Sequence, residues 1–365
     1  MEHLLPLTFI LIIGFMIIMY VILDGFTLGT GMLLPFLKND EKDIAMSVIL
    51  PTWDGNQTWL VLGAATLYGS FPLAFSTILP ALYIPLILMV LGLLFRGVVF
   101  EFRLKATHGK KRWDIVFAGA SLFVTFIQGL VLGHFVEGFT PVSDVTLVVE
   151  DPLFTVFSLV TALSLIFGYS LLGSTRLIFK TEGEIQRKMY RVAGRGSIVV
   201  AIAMVVVSLM TMFVHPEVKA LWFNARYWPW LGILPAVTGI LFVFFWYSLY
   251  RKKEHLPYWL AVFLFLCPYA GFIVSRLLDV LMNEAVKLVE EGNKPEEIDK
   301  AMVICAGHPM GPCRLLDLVG AEIAMHGMET MEGNFGERYK PHPLLRKRVL
   351  AGLLGQKTGQ GFYKY

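Results

Sequence analysis

Long apolar stretches separated by short polar segments make up the first three quarters of the chain. About 20 apolar residues are needed to cross a hydrocarbon layer about 30 Å thick. The stretch from Ile44 to Phe95 holds a single charge, Asp54, and is too long for one crossing, so the turn signal Gly69-Ser70-Phe71-Pro72 is expected to divide it. The pattern predicts eight spans, at roughly residues 5–34, 50–69, 73–100, 114–136, 153–174, 197–214, 228–249 and 256–275.

The last quarter of the chain has a different pattern, with charged residues at the density of ordinary soluble domains. One helix is predicted to open at Gly271 and another at Pro295, which is followed by acidic residues suited to a helix N-terminus. Because the eighth span leads into the first of these, we expect one continuous helix over about 257–290. The predicted fold class is all-α: a polytopic membrane helix bundle of about eight spans (1–270), followed by a small soluble all-α domain (271–365).

Composition agrees with this division and excludes other classes. The chain is 56% hydrophobic and only 16% charged, whereas soluble domains carry about 25% charge. A net charge of +3 is too small to indicate nucleic-acid binding. Cys267, Cys305 and Cys313 lack metal-site spacing. The first apolar run begins at Leu4 without a basic region before it, which predicts a retained membrane helix and not a cleaved signal peptide.

The basic residues predict an orientation. The loops that follow the first, third, fifth and seventh predicted spans contain 16 lysines and arginines. The loops that follow the second, fourth and sixth spans contain 2, Lys219 and Arg226. Because cytoplasmic loops carry the excess of basic residues, the N-terminus is predicted to lie outside. After eight crossings the tail would lie outside as well. The predicted location is the bacterial inner (cytoplasmic) membrane.

Ionisable residues within spans are costly, by about 2.5–3.5 kcal/mol on insertion scales, and are therefore functional candidates. Asp24 is the only charge between Glu2 and Lys38, and Gly25, Gly29 and Gly31 beside it would permit close helix approach. The alternative is an aspartate that serves helix packing alone.

The segment from Trp53 to Trp59 is a second candidate. Asp54, Gln57 and Thr58 share one helical face by their spacing, and Asn56 lies between them. The alternatives are that Asp54 caps a helix and that the tryptophans are interfacial anchors. A third candidate is Arg96, followed by Glu101 and Arg103. Arg96 could extend to the interface, or it could pair with Asp24 or Asp54.

The histidines bear on cofactors. A haem within a membrane protein needs axial ligands at membrane depth. Of the eight histidines, only His134 falls within a predicted span. We therefore expect no haem held by two histidines of this chain, and no metal site.

These motifs resemble subunit II of cytochrome bd-type ubiquinol oxidases, and more closely the cyanide-insensitive branch. The likeness covers residues 1 to about 270. It is carried by Leu23-Asp24-Gly25-Phe26, by Trp53-Asp54-Gly55-Asn56-Gln57-Thr58-Trp59-Leu60, by the segment from Leu94 to Arg103, and by Lys180-Thr181-Glu182-Gly183.

The resemblance implies a partner, subunit I, that binds haems b and d and oxidises quinol, while this chain binds none of these cofactors alone. Membrane lipid and quinone are the other implied partners. The chain would support subunit I and proton uptake in aerobic respiration. By motif match, Asp54, Asp24 and Glu101 are candidates for the proton pathway. The implied supporting residues are Trp53, Asn56, Gln57, Arg96 and Arg103.

Residues 271–365 resemble a second family, the C-terminal helical domain of 3-hydroxyacyl-CoA dehydrogenases. The segments that carry this likeness run from Gly307 to Pro312, from Leu315 to Gly320 and from Lys357 to Tyr365. The resemblance implies a dimer formed through the tail and a cleft for acyl-CoA, with Ser275 and His308 as cleft candidates; a structural role for His308 is the alternative. No Gly-x-Gly-x-x-Gly segment follows a strand, so we expect no complete active site and no dehydrogenase activity.

The joining of two families leaves several interpretations open. The chain could be a natural gene fusion, an assembly or cloning chimera, or a designed fusion. The favoured function is the non-haem oxidase subunit. The alternatives are a secondary transporter, which also uses buried acids and interrupted helices, and a fusion whose tail is a dehydrogenase-type dimerisation or binding module without catalysis.

Overall fold

The fold is that of a computed structural model, which describes residues 4–106, 108–137, 153–214, 232–306, 310–335 and 339–365. The chain divides into two compact units, Met1–Pro268 and Tyr269–Tyr365. The regular elements within the described ranges are helices, as the apolar pattern predicts.

The first unit contains nine complete helices within the described ranges. They are α1 (Leu4–Leu33), α2 (Asn39–Ile49), α3 (Gly55–Ser70), α4 (Pro72–Ala81), α5 (Tyr83–Lys105), α6 (Lys110–Glu137), α7 (Val156–Lys180), α8 (Gly183–Val214) and α9 (Ile233–Tyr250). Helix α1 lies at the centre and packs against α3, α6 and α7.

Five helices within the described ranges are long and apolar enough to cross a membrane. They cover Leu11–Phe36, Tyr83–Arg103, Lys110–Glu137, Val156–Lys180 and Gly183–Val214. Shorter apolar helices cover Pro235–Tyr250 and Leu256–Leu266. The predicted second span is the 16-residue helix α3, which at 1.5 Å per residue is roughly 24 Å long. The protein is thus a multi-helix membrane bundle, and the count of eight remains a prediction.

Helix α10 (Leu256–Glu290) is a single element, so the predicted continuous helix over about 257–290 is confirmed. The side chains of 267–279 lie outside the described part. The second unit adds α11 (Pro295–Ala306), α12 (Pro312–Val319), α13 (Ala321–Phe335) and α14 (Pro343–Leu350). Helix α11 begins at Pro295 with Glu296 and Glu297 in its first turn, as predicted. The hydrophobic core of the second unit includes Met282, Val286, Leu316, Met328 and Leu345.

Candidate functional site

A charge pair lies in the interior of the membrane unit. Arg96 Nη2 of α5 is 2.8 Å from Asp24 Oδ1 of α1, and both side chains are only 1% exposed. A charge in this environment is costly unless an opposite charge compensates it, and each side chain supplies that compensation for the other. Of the interpretations open for Arg96, pairing with Asp24 is the one observed, and extension to the interface is wrong because the side chain is fully buried.

The glycines beside Asp24 allow this burial. A Cβ added at Gly29 would lie 1.7 Å from the carbonyl oxygen of Tyr169 on α7, so only glycine fits between the two backbones. A Cβ at Gly25 would lie 2.9 Å from the Tyr169 ring. The predicted close approach of helices at these glycines is confirmed, and it encloses the turn of α1 that carries Asp24.

Asn56 is the polar residue of the Trp53–Trp59 segment that enters the bundle. It is 2% exposed, and its Nδ2 donates to the Leu23 carbonyl oxygen at 2.8 Å and to Thr27 Oγ1 at 3.0 Å. These bonds attach the first turn of α3 to two residues of α1, one just before Asp24 in the sequence and one just after it. Gln57, on the neighbouring face, is half-buried. Within the Trp53–Trp59 segment, the polar contact with α1 is therefore made by Asn56 and not by the predicted face of residues 54, 57 and 58.

Asp54 is exposed, directly before α3. It occupies the position of an N-cap, but its side chain makes no capping bond and its backbone is already helical, with φ −80° and ψ −46°. The capping alternative is therefore wrong for this residue. The ring centroid of the neighbouring Trp53 lies 4.9 Å from that of Phe100, and the Trp53 ring also lies against Gly97. Trp53 is thus held against α5, while the Asp54 carboxyl faces the surface.

Glu101 and Arg103 differ sharply in environment. Glu101 is exposed and forms a 3.4 Å pair with Lys105 on the next turn of α5. Arg103 is 2% exposed, and its guanidinium reaches Asp114 Oδ1 at 2.6 Å and Asp43 Oδ1 at 2.9 Å. The structure therefore does not bring Glu101 into the buried pair of Asp24 and Arg96. Arg103 instead joins α5 to α6 and α2.

Sequence reasoning missed this second charge cluster. Asp114 is 2% exposed and also lies 3.4 Å from Lys42 Nζ, so α2 is attached to α5 and α6 through two cations. Asp114 is the first residue of a predicted span, and the hydropathy pattern marks it only as the boundary of that span. Its position there was the signal available in the sequence. A buried carboxylate near a basic loop is a sign of such a pairing.

Glu41 attaches α2 to α8. Its carboxylate accepts from Lys188 Nζ at 2.6 and 2.8 Å and from the Lys38 backbone N–H at 2.7 Å. Burial acts to raise the pKa of Glu41, but the bonds from Lys188 and Lys38 outweigh it, and the pKa lies below the usual range. Helix α2, which precedes Trp53 and Asp54, is thus held on α8 through Glu41 and on α5 and α6 through Asp43 and Lys42.

Tyr20 and Gln128 extend the polar interior around Asp24. Tyr20 is 4% exposed, lies one turn before Asp24 on α1, and is close enough to interact with that carboxyl. Its hydroxyl accepts a hydrogen bond from Gln128 Nε2 of α6. Neither residue belongs to the predicted site. An uncharged polar residue within an apolar segment has no spacing or charge signal that distinguishes a buried contact from an exposed position.

The second unit contains two buried aspartates that hold its C-terminal segment. Asp299 accepts from the backbone N–H groups of Cys313 and Arg314 at 2.8 and 2.9 Å and from the Tyr363 hydroxyl at 2.8 Å. Asp317 accepts from the backbone N–H groups of Phe362 and Tyr363, both at 2.8 Å. These carboxylates are occupied by structural bonds.

The tail residues predicted for a cleft are not placed by the structure. His308 lies outside the described residues, and the side chain of Ser275 lies outside them too. Cys313 is buried, and burial together with the nearby Asp299 carboxylate raises the pKa of its thiol. Across the described ranges, no three histidine, cysteine, aspartate or glutamate side chains are grouped so as to hold a metal ion.

Two family models match the chain. The model of cytochrome bd terminal oxidase subunit II matches residues 5–310, and that of the 3-hydroxyacyl-CoA dehydrogenase C-terminal domain matches residues 271–365. The two matches overlap over residues 271–310. The first covers well over half of the chain, whereas the second covers only the tail.

Relatives divide in the same way. A cytochrome bd ubiquinol oxidase subunit 2 from Bacillus subtilis is 31% identical over 221 residues, which are 58% of this chain and 64% of the relative. A probable 3-hydroxybutyryl-CoA dehydrogenase from Deinococcus radiodurans is 46% identical over 99 residues, which are 27% of this chain and 36% of the relative. The chain thus spans about a third of that dehydrogenase and slightly less than two thirds of the oxidase subunit.

A solved structure supports the fold. The bd oxidase from Geobacillus thermodenitrificans matches with a TM-score of 0.61 at 16% identity, covering 74% of this chain and 84% of the matched chain. At that identity the likeness concerns the fold alone. Taken with the match over residues 5–310, it leads to one assignment: the chain belongs to the cytochrome bd terminal oxidase subunit II family.

Proposed function

We propose that this chain is the non-haem membrane subunit of a bd-type quinol:oxygen oxidoreductase, where it supports a haem-bearing subunit I and proton uptake. The observation that carries the proposal is the fully buried pair of Asp24 and Arg96 in a chain of this family. Buried charge in a membrane bundle is costly, and it is retained where it serves an ion or proton pathway or holds helices together.

In this proposal, haems b and d and the quinol are held by the complex, with the haems in subunit I. Haem supplies the redox chemistry of oxygen reduction when it is bound. Within the described helices one histidine, His134, is buried at membrane depth, so their residues do not fit a haem with two histidine ligands. A purified chain without its partner should therefore show no stoichiometric haem in a reduced-minus-oxidised spectrum.

The proposed topology has eight spans, with the N-terminus outside, in the bacterial cytoplasmic membrane. The basic ends of α5 and α7 and the basic start of α6 support it, since these residues favour the cytoplasmic side. Green fluorescent protein fused after residue 254 should fluoresce, because that loop is cytoplasmic. The same fusion after residue 225 should not, and the reverse pattern would contradict the orientation.

The proposed proton pathway begins at Asp54 and continues toward Asp24. Asp54 is an exposed carboxylate, and two residues later Asn56 bonds to the turn of α1 that carries Asp24. Arg96 compensates the Asp24 charge and thereby lets an ionised carboxylate remain in the interior. Trp53 and Gln57 are proposed to support this segment, and Glu101 and Arg103 the end of α5. The exposed Glu101 would then gather protons at the surface.

Asp54→Asn tests this pathway in the assembled complex. The variant should assemble normally but consume oxygen more slowly, and the loss is expected to be partial because water can bypass one relay group. Asp40→Asn is the matched control, since Asp40 is another exposed carboxylate, on the preceding helix α2. Reduced assembly with normal activity in the remaining complex would show that Asp54 is structural and would contradict its place in the pathway.

For the tail we propose a domain boundary near residue 270 and a dimerisation or binding module without catalysis. The match over residues 271–365 to a dehydrogenase C-terminal domain supports this role, and Ser275 and His308 remain its cleft candidates. The full chain should show no NAD-dependent turnover of 3-hydroxyacyl-CoA, because no nucleotide-binding segment occurs in the sequence. Measurable turnover would contradict this, and analytical ultracentrifugation with and without residues 271–365 would test the dimer.

A further inference from the structure

One face of α8 has no partner within the described part of the chain and changes character along its length. Its first half carries three exposed arginines, Arg187, Arg191 and Arg195. The second half continues with exposed apolar side chains, each three or four residues after the last: Ile198, Ile202, Val205, Leu209 and Phe213. Residues at this spacing lie on one side of a helix. The face therefore passes from cationic to apolar between Arg195 and Ile198.

A tryptophan marks the same level on the neighbouring helix. Trp246 of α9 is 44% exposed, and its indole Nε1 donates to Ser197 Oγ at 2.9 Å. Tryptophans that are partly exposed and hydrogen-bonded are enriched where hydrocarbon meets the headgroup layer. This observation is independent of the charge pattern on α8. Both place the hydrocarbon boundary near Ser197.

Two of the three arginines fall within or at the margin of the headgroup layer. Arg187 and Arg195 are eight residues apart, which at 1.5 Å per residue is roughly 12 Å along the helix. The headgroup and interfacial region on each side of a bilayer is roughly 5–8 Å thick. Measured along the axis from Ser197, Arg195 is roughly 3 Å away, Arg191 roughly 9 Å and Arg187 roughly 15 Å. Arg195 therefore lies within the headgroup layer, Arg191 lies at its outer margin, and Arg187 lies beyond it, where its side chain can extend toward the layer.

A second element adds positive charge beside this face. The Tyr190 hydroxyl donates to the Lys253 carbonyl oxygen at 3.0 Å, which places the turn Arg251-Lys252-Lys253 next to α8. Glu254 follows the turn and offsets one of its charges. Arg187, Arg191 and Arg195 form no ion pair with a carboxylate that the structure describes. Within the described residues, no carboxylate therefore pairs with this cationic stripe of Arg187, Arg191 and Arg195.

We propose that this surface binds the phosphate headgroup of anionic phospholipid, with an acyl chain along the apolar half of α8. A lipid matches both halves of the face, because its phosphate and its hydrocarbon are joined in the same order. Guanidinium groups bind phosphate oxygens through paired hydrogen bonds. Lipid binding here requires only that α8 crosses a membrane, so it stands apart from the oxidase proposal.

The test compares the full chain with two triple variants in detergent. Arg187→Gln/Arg191→Gln/Arg195→Gln removes the stripe. Lys105→Gln/Lys111→Gln/Arg112→Gln is the matched control, since these exposed cations lie at the adjoining ends of α5 and α6. Binding is measured by native mass spectrometry and by the shift in unfolding temperature on adding phosphatidylglycerol, phosphatidylcholine or inorganic phosphate. Helix content by circular dichroism confirms that each variant is folded.

Phosphatidylglycerol should bind and raise the unfolding temperature of the wild-type chain and of the control variant. The stripe variant should bind it on the order of a hundredfold more weakly, since each basic residue near a lipid surface contributes about a fivefold effect. An equal loss in the control variant would overturn the proposal in favour of general surface charge. An equal effect of inorganic phosphate would show a free-anion site instead, and undiminished binding by the stripe variant would also refute it. If the stripe variant kept the lipid effect but lost a copurifying subunit, the face would be a protein interface.

Discussion

Removing one member of the buried Asp24–Arg96 pair should destabilise the membrane unit strongly. In Arg96→Gln the Asp24 carboxylate remains 1% exposed without its cation, and an uncompensated buried charge of this kind costs about 3–5 kcal/mol. Asp24→Asn leaves the guanidinium in the same position and should cost a similar amount. The double variant removes both charges, so its loss should be clearly smaller than the sum of the two single losses.

The measurement is a double-mutant cycle on the free energy of unfolding. The purified chain in mild detergent is titrated with sodium dodecyl sulfate and followed by tryptophan fluorescence, for which the chain provides 8 tryptophans. Groups in direct contact show coupling energies of about 0.5–3 kcal/mol, and we expect this pair in the upper half of that range. Additive losses would refute the reasoning, because they would mean that neither charge depends on the other.

The exposed pair of Glu101 and Lys105 is the matched control. It has the same charge types on α5, but its side chains are 50% and 80% exposed and 3.4 Å apart. Solvent screening limits such a pair to about 0.2–0.5 kcal/mol. The same cycle on Glu101→Gln and Lys105→Gln should therefore give a coupling of no more than about 0.5 kcal/mol. A coupling as large as that of the buried pair would show that burial is not the cause.

Three further outcomes follow from the contacts. The pKa of Glu41 is lowered in the folded chain, so the stability that its bond to Lys188 contributes should be fully present above the usual pKa of 4.5 and lost as pH falls through the folded pKa. The midpoint of unfolding should therefore decline at acid pH, and Glu41→Gln should remove this decline. Cys313, with its raised pKa, should react with iodoacetamide at pH 8 only after denaturation, and rapid labelling at Cys313 itself in the folded chain, located by peptide mass spectrometry, would contradict its burial. Gly29→Ala should lower the free energy of unfolding by about 1–3 kcal/mol or more, because the added Cβ meets the α7 backbone. Gly119 has open space around it, so Gly119→Ala should be neutral or stabilising in the same unfolding titration.

Sequence alone was sufficient for the class of the fold and for several elements. Whether a segment can enter hydrocarbon depends on the composition of about 20 consecutive residues, which is a local property. The same local logic identified Asp24 as a candidate, since it is the only charged residue within its span. It also predicted the start of α11 at Pro295 and the continuity of α10, because capping signals and the absence of a polar break are visible in the chain.

The partners of these residues were decided by tertiary structure. Arg96 lies 72 positions from Asp24, and sequence reasoning allowed Asp54 as an equal partner. Successive residues on a helix point roughly 100° apart, so the rotation of α3 about its axis determined that Asn56 and not Gln57 meets α1. No pattern within the segment specifies that rotation. It is set by the packing of α3 on α1, where Asn56 donates to the Leu23 carbonyl oxygen and to Thr27 Oγ1.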